Sequence, residues 1–292
     1  MDILSIMDPG RAAFLRKNTL KRRVYDVNGP NHIWHIDGND KLKRFGFSLH
    51  GAIDGYSRKV IWLEVARSNK EPQFVASLFV KAVKRLKLVP TTVRMDRGTE
   101  NFYLADLQSL FRSAHNDSRK SIAVLFGSSN HNQRIERFWS TLRKGLLQIY
   151  MDLFNDLEAA GLLDLSCTKE AECLVFCFWS VFKSELQQFI HYWNSHRIRN
   201  MTAASLPSGV PNFLFSMPEF YGHAEMGQTV DHEIMNDGLL LDLANFSVDS
   251  NSPEFSEWAY TQMLLYHYVS PVTRDDALQL YGHLLRLIRP NS

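Results

Sequence analysis

The order of the apolar segments between residues 30 and 127 constrains the fold more than any other feature of this sequence. Three short segments rich in aromatic and β-branched residues come first, separated only by brief turns. A segment with apolar residues at every fourth position follows, and then a strand-like, a helical and another strand-like segment. Short turns predict antiparallel neighbours, whereas crossovers that contain a helix predict parallel ones. The pattern therefore predicts an α/β domain with a mixed five-stranded sheet flanked by helices.

The rest of the chain is predicted to be mostly helical. Two segments rich in Phe, Leu and Trp, one from residue 128 towards 160 and one over 169–195, have the length of long helices. A last helix is predicted over 275–289, because Thr273 and Asp276 have the spacing of a capping box at its start.

These features divide the chain into three regions with different charge. We assign a basic leader to residues 1–29, the α/β core with its following helices to 30–200, and a Pro/Gly-rich connector with an acidic, partly helical tail to 201–292. Residues 1–218 carry 30 basic and 20 acidic side chains, whereas residues 219–292 carry 3 and 11. A basic body indicates a polyanionic partner, and the acidic tail offers a surface for a protein partner.

Composition and patterning exclude several classes of protein. The longest apolar stretch covers only residues 173–182, whereas a membrane-spanning helix needs roughly 20 residues, so no membrane partner is expected. The first residues lack the pattern of a secretory signal, so we expect an intracellular protein. The three cysteines form no C-x-x-C pair, which favours a reducing compartment over a disulfide framework or a zinc site.

Three carboxylates are the candidate site residues. Asp37 ends the first predicted strand, Asp96 closes the fourth, and Glu136 lies on the following helix. On a helical wheel, Glu136 falls at the border of the apolar face. That face is predicted to consist of Ile135, Phe138, Leu142, Leu146 and Ile149. A single aspartate at a strand end is most simply a cap for the next element, but ligand sites gather at the carboxyl ends of strands, so all three together indicate one shared site.

Carboxylates without a serine or cysteine nucleophile favour metal-dependent chemistry. Oxygen ligands suit hard cations such as Mg²⁺ or Mn²⁺ rather than zinc. Two such ions can activate the attacking oxygen and stabilise the leaving oxygen of a phosphodiester. Asp37, on the strand expected at the centre of the sheet, is the best candidate for a ligand shared by both ions.

These residues and their neighbours resemble the catalytic core of retroviral-type integrases and related DDE transposases, which have a ribonuclease H-like fold. The interval of 39 residues between Asp96 and Glu136 is similar to that of the retroviral group. The amino-acid sequences of the motifs most resemble those of animal integrase-core proteins of transposon origin. The resemblance covers roughly residues 11–218. The further matching motifs are Ile53-Asp54-Gly55-Tyr56-Ser57-Arg58, Asn132-Gln133-Arg134-Ile135-Glu136-Arg137-Phe138-Trp139 and Tyr192-Trp193-Asn194-Ser195-His196-Arg197.

The resemblance implies DNA strand cleavage and strand transfer with two Mg²⁺ or Mn²⁺ ions. Asp37 would contact both ions, Asp96 the first and Glu136 the second, while Asp54 would be a turn residue. The resemblance also implies assembly of several copies, and a DNA substrate implies residence in the nucleus. The basic residues around Glu136 are the candidate DNA contacts: Arg134, Arg137, Arg143 and Lys144.

Two other functions remain open on the sequence. No zinc-binding His-His-Cys-Cys or helix-turn-helix pattern precedes the motifs, which together with the acidic tail favours a domesticated, catalytically idle module that binds DNA or protein. A ribonuclease H-like nuclease that cuts RNA–DNA hybrids is the third hypothesis. The long helix of Glu136 and the segment Asn194–Arg197 argue against that third hypothesis.

Overall fold

The structure is a computed structural model. It describes residues 27–113, 122–127, 132–198, 207–230, 236–248 and 250–289. The basic leader up to residue 26 and the segment 128–131 before the helix of Glu136 lie outside the described residues.

The strands of the described chain form one large sheet and one small one. In chain order they are β1 (Ile33–Leu42), β2 (Phe47–Asp54), β3 (Val60–Ala66), β4 (Leu88–Val89), β5 (Thr92–Met95), β6 (Val124–Phe126) and β7 (Gln228–Thr229). The large sheet has the order β3-β2-β1-β5-β6, and β4 pairs with β7. Strands β1, β2 and β3 are antiparallel neighbours, whereas β1–β5 and β5–β6 are parallel. The predicted mixed five-stranded sheet flanked by helices is confirmed.

Helices cover both faces of this sheet. Those of the described chain are α1 (Pro72–Leu86), α2 (Phe102–Ser113), α3 (Gln133–Leu142), α4 (Gln148–Ala159), α5 (Thr168–Ser195), α6 (Pro211–Ser216), α7 (Gly238–Asn245), α8 (Pro253–Leu265) and α9 (Arg274–Ile288). Helix α1 ends before Lys87, whose φ of 58° is left-handed. Among the described residues, we find no helix with both the length and the apolar character needed to span a membrane.

The period of two along β1 assigns its side chains to two hydrophobic cores. Trp34 and Ile36 pack with α1 and α2 on one face of the sheet. On the other face, α3, α4 and α5 pack against β2 and β3. His35 and Asp37 alternate with Trp34 and Ile36 and therefore point to this second face.

A π-helical turn over Arg143–Leu147 joins α3 to α4 and changes which side chains face the core. The helical wheel places Ile149 in the apolar face, and this prediction is wrong: Ile149 is 42% exposed, whereas Tyr150 is fully buried. A π-turn rotates less per residue than an α-turn, so the core face beyond it is shifted along the sequence. Beyond the π-turn, the buried face of α4 consists of residues such as Tyr150 and Phe154.

The C-terminal helices α8 and α9 pack on α5 rather than extending away from it. Leu280 and Leu284 of α9 join the same apolar core as α4 and α5. Arg289 donates to both carboxylate oxygens of the buried Glu170 at 2.6 Å, which fixes the end of α9. The predicted capping box of α9 is confirmed, with its side-chain and backbone hydrogen bonds both present.

A buried histidine makes the stability of this fold sensitive to acid. His50 is buried on β2 and accepts a hydrogen bond from Nε1 of Trp62 at 3.1 Å, and burial lowers its pKa from 6.5 to about 3. The unfolded chain binds a proton below pH 6.5 that the folded chain does not, so this histidine reduces stability as the pH falls below 6.5. Each pH unit in that window costs about 1.4 kcal/mol.

We therefore expect His50→Gln, which keeps an acceptor for Trp62, to weaken the fall in Tm between pH 7 and pH 4.5. The control is His191→Gln, because His191 is exposed on α5. Thermal unfolding followed by circular dichroism measures both variants. Parallel Tm-against-pH curves for wild type and His50→Gln would contradict the assignment.

Candidate active site

The register of the central strands brings two of the three carboxylates to one place. The last parallel pair between β1 and β5 is His35 with Arg94. Asp37 and Asp96 each follow two residues later, so they occupy equivalent positions on the same face of the sheet. Asp37 is not at the end of its strand as predicted, because β1 continues along β2 as far as Leu42. It lies instead where the pairing with β5 stops.

Helix α3 contacts Asp37 through a tryptophan. Nε1 of Trp139 donates a hydrogen bond to Oδ2 of Asp37 at 3.0 Å. Gly51, which faces Asp37 across the β1–β2 pair, leaves room for the indole ring. A Cβ atom at position 51 would lie 2.9 Å from the ring carbon Cη2 of Trp139. Glycine at this position is therefore required for the contact between Trp139 and Asp37.

Asp37 is a half-buried carboxylate in an unfavourable environment. Burial raises its pKa from 3.8 to about 7, and the hydrogen bond from Trp139 only partly opposes this. The negative charges of Glu136 and Asp96 raise the pKa of Asp37 further. Asp37 is thus close enough to each of the other two carboxylates to interact with it electrostatically, and a cation beside Asp37 would relieve the repulsion.

Asp96 is oriented by the turn that follows it. Nδ2 of Asn101 donates to Oδ1 of Asp96 at 2.9 Å, and the backbone N–H of Gly98 donates to the same oxygen at 3.3 Å. Asn101 is buried, whereas Asp96 is exposed. The turn therefore presents a carboxylate that keeps its second oxygen towards solvent.

Glu136 lies in the first turn of α3 and is exposed. Among the described residues, no three His, Cys, Asp or Glu side chains are gathered closely enough to hold a metal ion. The composition of the site nevertheless fits a divalent cation, because it consists of carboxylate oxygens that raise one another's affinity for positive charge. Asp37, Asp96 and Glu136 are the residues that would hold it.

The predicted DNA contacts flank Glu136 along the chain, one before it and three after it. Arg137, Arg143 and Lys144 are exposed, and Arg134 is half-buried. Arg134 is close enough to His35 to lower the pKa of that histidine. Arg143 and Lys144 lie on the π-turn, so their positions on an ideal helical wheel do not apply. Exposure of these cations is compatible with contacts to phosphate groups.

Asp96 and Glu136 are exposed at this edge of the sheet, and Asp37 is half-buried. A cavity of about 500 Å³ lies elsewhere, between α4, α5 and α9, and is lined by residues such as Glu185 and Arg274. None of the three carboxylates borders it. Small-molecule sites are concave and enclose most of their ligand, so an open edge suits a polymer better.

Two further motif residues have structural roles in the described chain. Asp54 is buried and accepts hydrogen bonds from the backbone N–H groups of Asn31 and Ser57 and from the Ser57 hydroxyl, as expected of a turn residue. The side-chain amide of Asn194 accepts from N–H of Val60 at 2.8 Å and donates to its C=O at 3.2 Å. This pair of bonds attaches the end of α5 to β3.

Sequence reasoning missed the side chains that connect β1 to α3. His35 points to the same face as Asp37, and the spacing of two residues predicts this. Asn132 and Trp139 lie four residues before and three residues after Glu136, which places them on its side of the helix. Those spacings were the available signal, but they do not tell which strand residue each side chain bonds.

A comparison with models of protein families identifies the family of this chain. A model of the integrase core domain family matches residues 24–210, which is more than half of the chain. Among solved structures, the chain is similar to the catalytic core domain of HTLV-2 integrase in complex with magnesium, in a trimeric form. That similarity has 18% sequence identity and a TM-score of 0.40, and it covers 65% of this chain and 99% of the other. No curated protein sequence matches the chain.

The raised pKa of Asp37 predicts that the ionised Asp37 carboxylate lowers the stability of the metal-free fold once the pH exceeds 3.8. The folded chain keeps a proton on Asp37 between pH 3.8 and about 7 that the unfolded chain has released, so the stability contributed by Asp37 falls as the pH rises through this window. We expect Asp37→Asn, which can still accept from Trp139, to raise the Tm at pH 8 and to change it little at pH 4. One kcal/mol corresponds to roughly 2–4 °C for a chain of this size.

The measurement is thermal unfolding in EDTA and then with Mg²⁺ in excess. Magnesium should raise the Tm of the wild type and leave Asp37→Asn unchanged. The control is Asp152→Asn, because Asp152 is exposed on α4. An equal gain for Asp37→Asn at both pH values would show that the pKa of Asp37 is not raised.

Proposed function

The chain belongs to the integrase core domain family, and from that premise we propose that it is a DDE-type DNA strand transferase. In this proposal water hydrolyses a P–O3′ bond in DNA and leaves a free 3′-hydroxyl. That hydroxyl then attacks a phosphodiester of a second strand, where the new P–O bond forms as the old P–O3′ bond breaks, and the leaving 3′-oxygen takes up a proton. Asp37, Asp96 and Glu136 are the proposed catalytic residues and metal ligands.

The observation that carries the proposal is that Asp37 and Asp96 occupy equivalent positions on neighbouring strands, with the charge of Glu136 acting on Asp37. Asp37 and Asp96 follow the last parallel pair of β1 and β5, on one face of the sheet. The charges of Asp96 and Glu136 both act on Asp37. Carboxylates are rarely placed close together without a cation or a shared proton, because their mutual repulsion is costly.

The proposed cofactor is a pair of Mg²⁺ or Mn²⁺ ions. Bound at these carboxylates, two such ions would supply Lewis-acid activation of the attacking hydroxyl and stabilisation of the leaving oxygen. Asp37, Asp96 and Glu136 would hold them, with Asp37 shared. Asp37 must release its proton to act as a ligand, so we expect ion binding to weaken below about pH 7.

Neighbouring residues prepare the carboxylates for this task. Asn101 and the N–H of Gly98 hold one oxygen of Asp96 and leave the other for a ligand. Trp139 fixes one oxygen of Asp37 in the same way. The open edge leaves space for a nucleic-acid duplex, and the cations that follow Glu136 would bind its phosphates.

The partners and the location of the protein are part of the same proposal. DNA is the expected substrate, and we propose that the chain acts as an oligomer in the nucleus. The acidic tail is proposed to bind a protein partner, because its outer surface carries exposed apolar side chains such as Leu264 and Val269 beside acidic ones such as Glu257.

The second candidate function is a domesticated module that binds DNA or protein without catalysis. Among the described residues, the carboxylates do not form a closed set of metal ligands, and this favours it. The two candidates differ in one measurable respect, the formation of metal-dependent DNA products.

The test is a strand-cleavage and strand-joining assay on labelled DNA with Mg²⁺ or Mn²⁺. We expect products from the wild type, and a loss of at least 100-fold in Asp37→Asn, Asp96→Asn and Glu136→Gln, because each variant removes one anionic ligand. Glu257→Gln is the control, since Glu257 is an exposed carboxylate on α8.

Products that persist in all three variants would refute the assigned site. DNA binding without products from the wild type, in both metals and over a range of DNA ends, would favour the idle binding module. A variant that loses products and also has a lower Tm than the wild type in EDTA would be misfolded rather than lacking a ligand. Circular dichroism of each variant measures this Tm.

The proposed phosphate contacts predict a change in salt dependence. Each protein cation that neutralises a DNA phosphate contributes about −0.9 to the slope of log Kobs against log salt concentration. We therefore expect the variant with both Arg143→Ala and Lys144→Ala to lose about two units of slope. Fluorescence anisotropy between 50 and 300 mM salt (roughly the range in which such slopes are measurable) gives the value. Lys183→Ala, an exposed cation on α5, is the matched control; an unchanged slope for the double variant would remove these two contacts.

A further inference from the structure

Two buried side chains connect the strand of Asp37 to the start of the helix of Glu136. Nδ1 of His35 lies 2.6 Å from Oδ1 of Asn132. Nδ2 of Asn132 donates to the carbonyl oxygen of Ile36 at 3.0 Å. An amide oxygen only accepts, so the proton of this imidazole is on Nδ1. His35 and Asn132 are both buried, and we call this pair of contacts the His35–Asn132 clamp.

The clamp contacts β1 directly beside Asp37 and lies at the start of the helical turn that carries Glu136. On the strand, Ile36 precedes Asp37. On the helix, the carbonyl oxygen of Asn132 accepts from the backbone N–H of Glu136 at 3.2 Å. Any movement of α3 along β1 would therefore have to break buried hydrogen bonds, each of which costs about 1–3 kcal/mol when its groups are left unsatisfied.

Asn132 gives up an ordinary structural role to make these contacts. It is the residue before the first turn of α3, where an asparagine side chain normally accepts from the second or third backbone N–H of the helix. Its side chain makes no such bond here. The side-chain amide bonds the strand instead. The position of the helix relative to β1 is thereby fixed, while the first turn of the helix lacks a side-chain cap from Asn132.

A second contact fixes the same helix beyond Glu136. Trp139 lies seven residues after Asn132, two turns along the same side, and bonds Asp37. Glu136 lies between the two attachment points. The helix is thereby held to β1 over the turns that carry this carboxylate.

We propose that His35 and Asn132 are positioning residues that set the separation of Glu136 from Asp37 and so the affinity of the site for a divalent cation. The inference rests on the proposed function, because it concerns the same carboxylates. Residues that orient metal ligands from behind typically change metal affinity by 10–100-fold when they are removed. Neither His35 nor Asn132 contacts substrate or metal in this proposal.

The chain offers a matched control for a purely structural role. Asn194 is also a buried asparagine, and its amide also makes two hydrogen bonds to a strand, at Val60 of β3. It attaches α5 to the far edge of the sheet, two strands away from β1. Loss of Asn194 should therefore reduce stability without changing metal affinity.

The experiment measures Mn²⁺ affinity by isothermal titration calorimetry on the full chain at pH 8. We expect Asn132→Ala and His35→Leu to weaken Mn²⁺ binding by about 10-fold or more, and Asn194→Ala to bind like the wild type even if its Tm is lower. His35→Gln should restore most of the affinity, because its side-chain amide can donate to Oδ1 of Asn132.

A second readout does not depend on metal. The solvent exchange rate of the Trp139 indole N–H, assigned by NMR with Trp139→Phe, reports on its bond to Asp37. In EDTA we expect this rate to rise at least 10-fold in Asn132→Ala, because loss of the clamp lets α3 move on β1, and to stay at the wild-type value in Asn194→Ala.

Wild-type Mn²⁺ affinity and wild-type indole exchange in Asn132→Ala would overturn the positioning role and leave the proposed function standing. A wild-type chain that binds no Mn²⁺ would refute the proposed metal site instead, and the indole exchange then decides the clamp alone. Equal losses in Asn132→Ala and Asn194→Ala would show that the effect is one of general stability and would also overturn the inference.

Discussion

The candidate site depends on unequal pairing along the two sides of strand β1. On one side β1 remains hydrogen-bonded to β2 as far as Leu42, whereas on the other side its pairing with β5 stops at His35. The strand therefore stays paired to β2 on one side while its other side is left open. Asp37 and Asp96 lie at this opening, where a carboxylate can reach solvent and still be held on a rigid strand. A site of this kind needs no cavity, and it leaves the edge accessible to a large substrate.

Helix α3 brings a third carboxylate, Glu136, close enough to this edge to raise the pKa of Asp37. Its position is fixed by contacts to β1 at both ends of the relevant turns, through Asn132 and Trp139. The missing side chain at Gly51 is part of the same arrangement, because any side chain at this position would displace the indole ring of Trp139. Beyond α3 the chain continues through the π-turn, which carries Arg143 and Lys144 on its outer surface. Helix α4 follows, with Tyr150 buried in the core.

Burial and repulsion at Asp37 show that the fold accepts an electrostatic cost at this edge. A pKa near 7 for an aspartate means that the folded chain without a cation favours the protonated form. The surrounding structure compensates for this cost by large apolar cores on both faces of the sheet, and the C-terminal helices add to one of them. The acidic tail is therefore partly a structural element, since α9 packs on α5 and is fastened to Glu170 by Arg289.

The sequence by itself determined the sheet and the order of its elements, and it singled out three candidate carboxylates whose role as site residues stays a prediction. These features follow from local periodicity, turn lengths and motif spacing, and the capping box at Thr273 is local in the same sense. The face of α4 was predicted wrongly, because a π-turn is a departure from regular geometry that no apolar period reveals. Only the tertiary structure decided which side chains hold the carboxylates. The bonds of His35 to Asn132 and of Asp37 to Trp139 join residues 97 and 102 positions apart, and such pairings exist only once the helix has packed on the sheet.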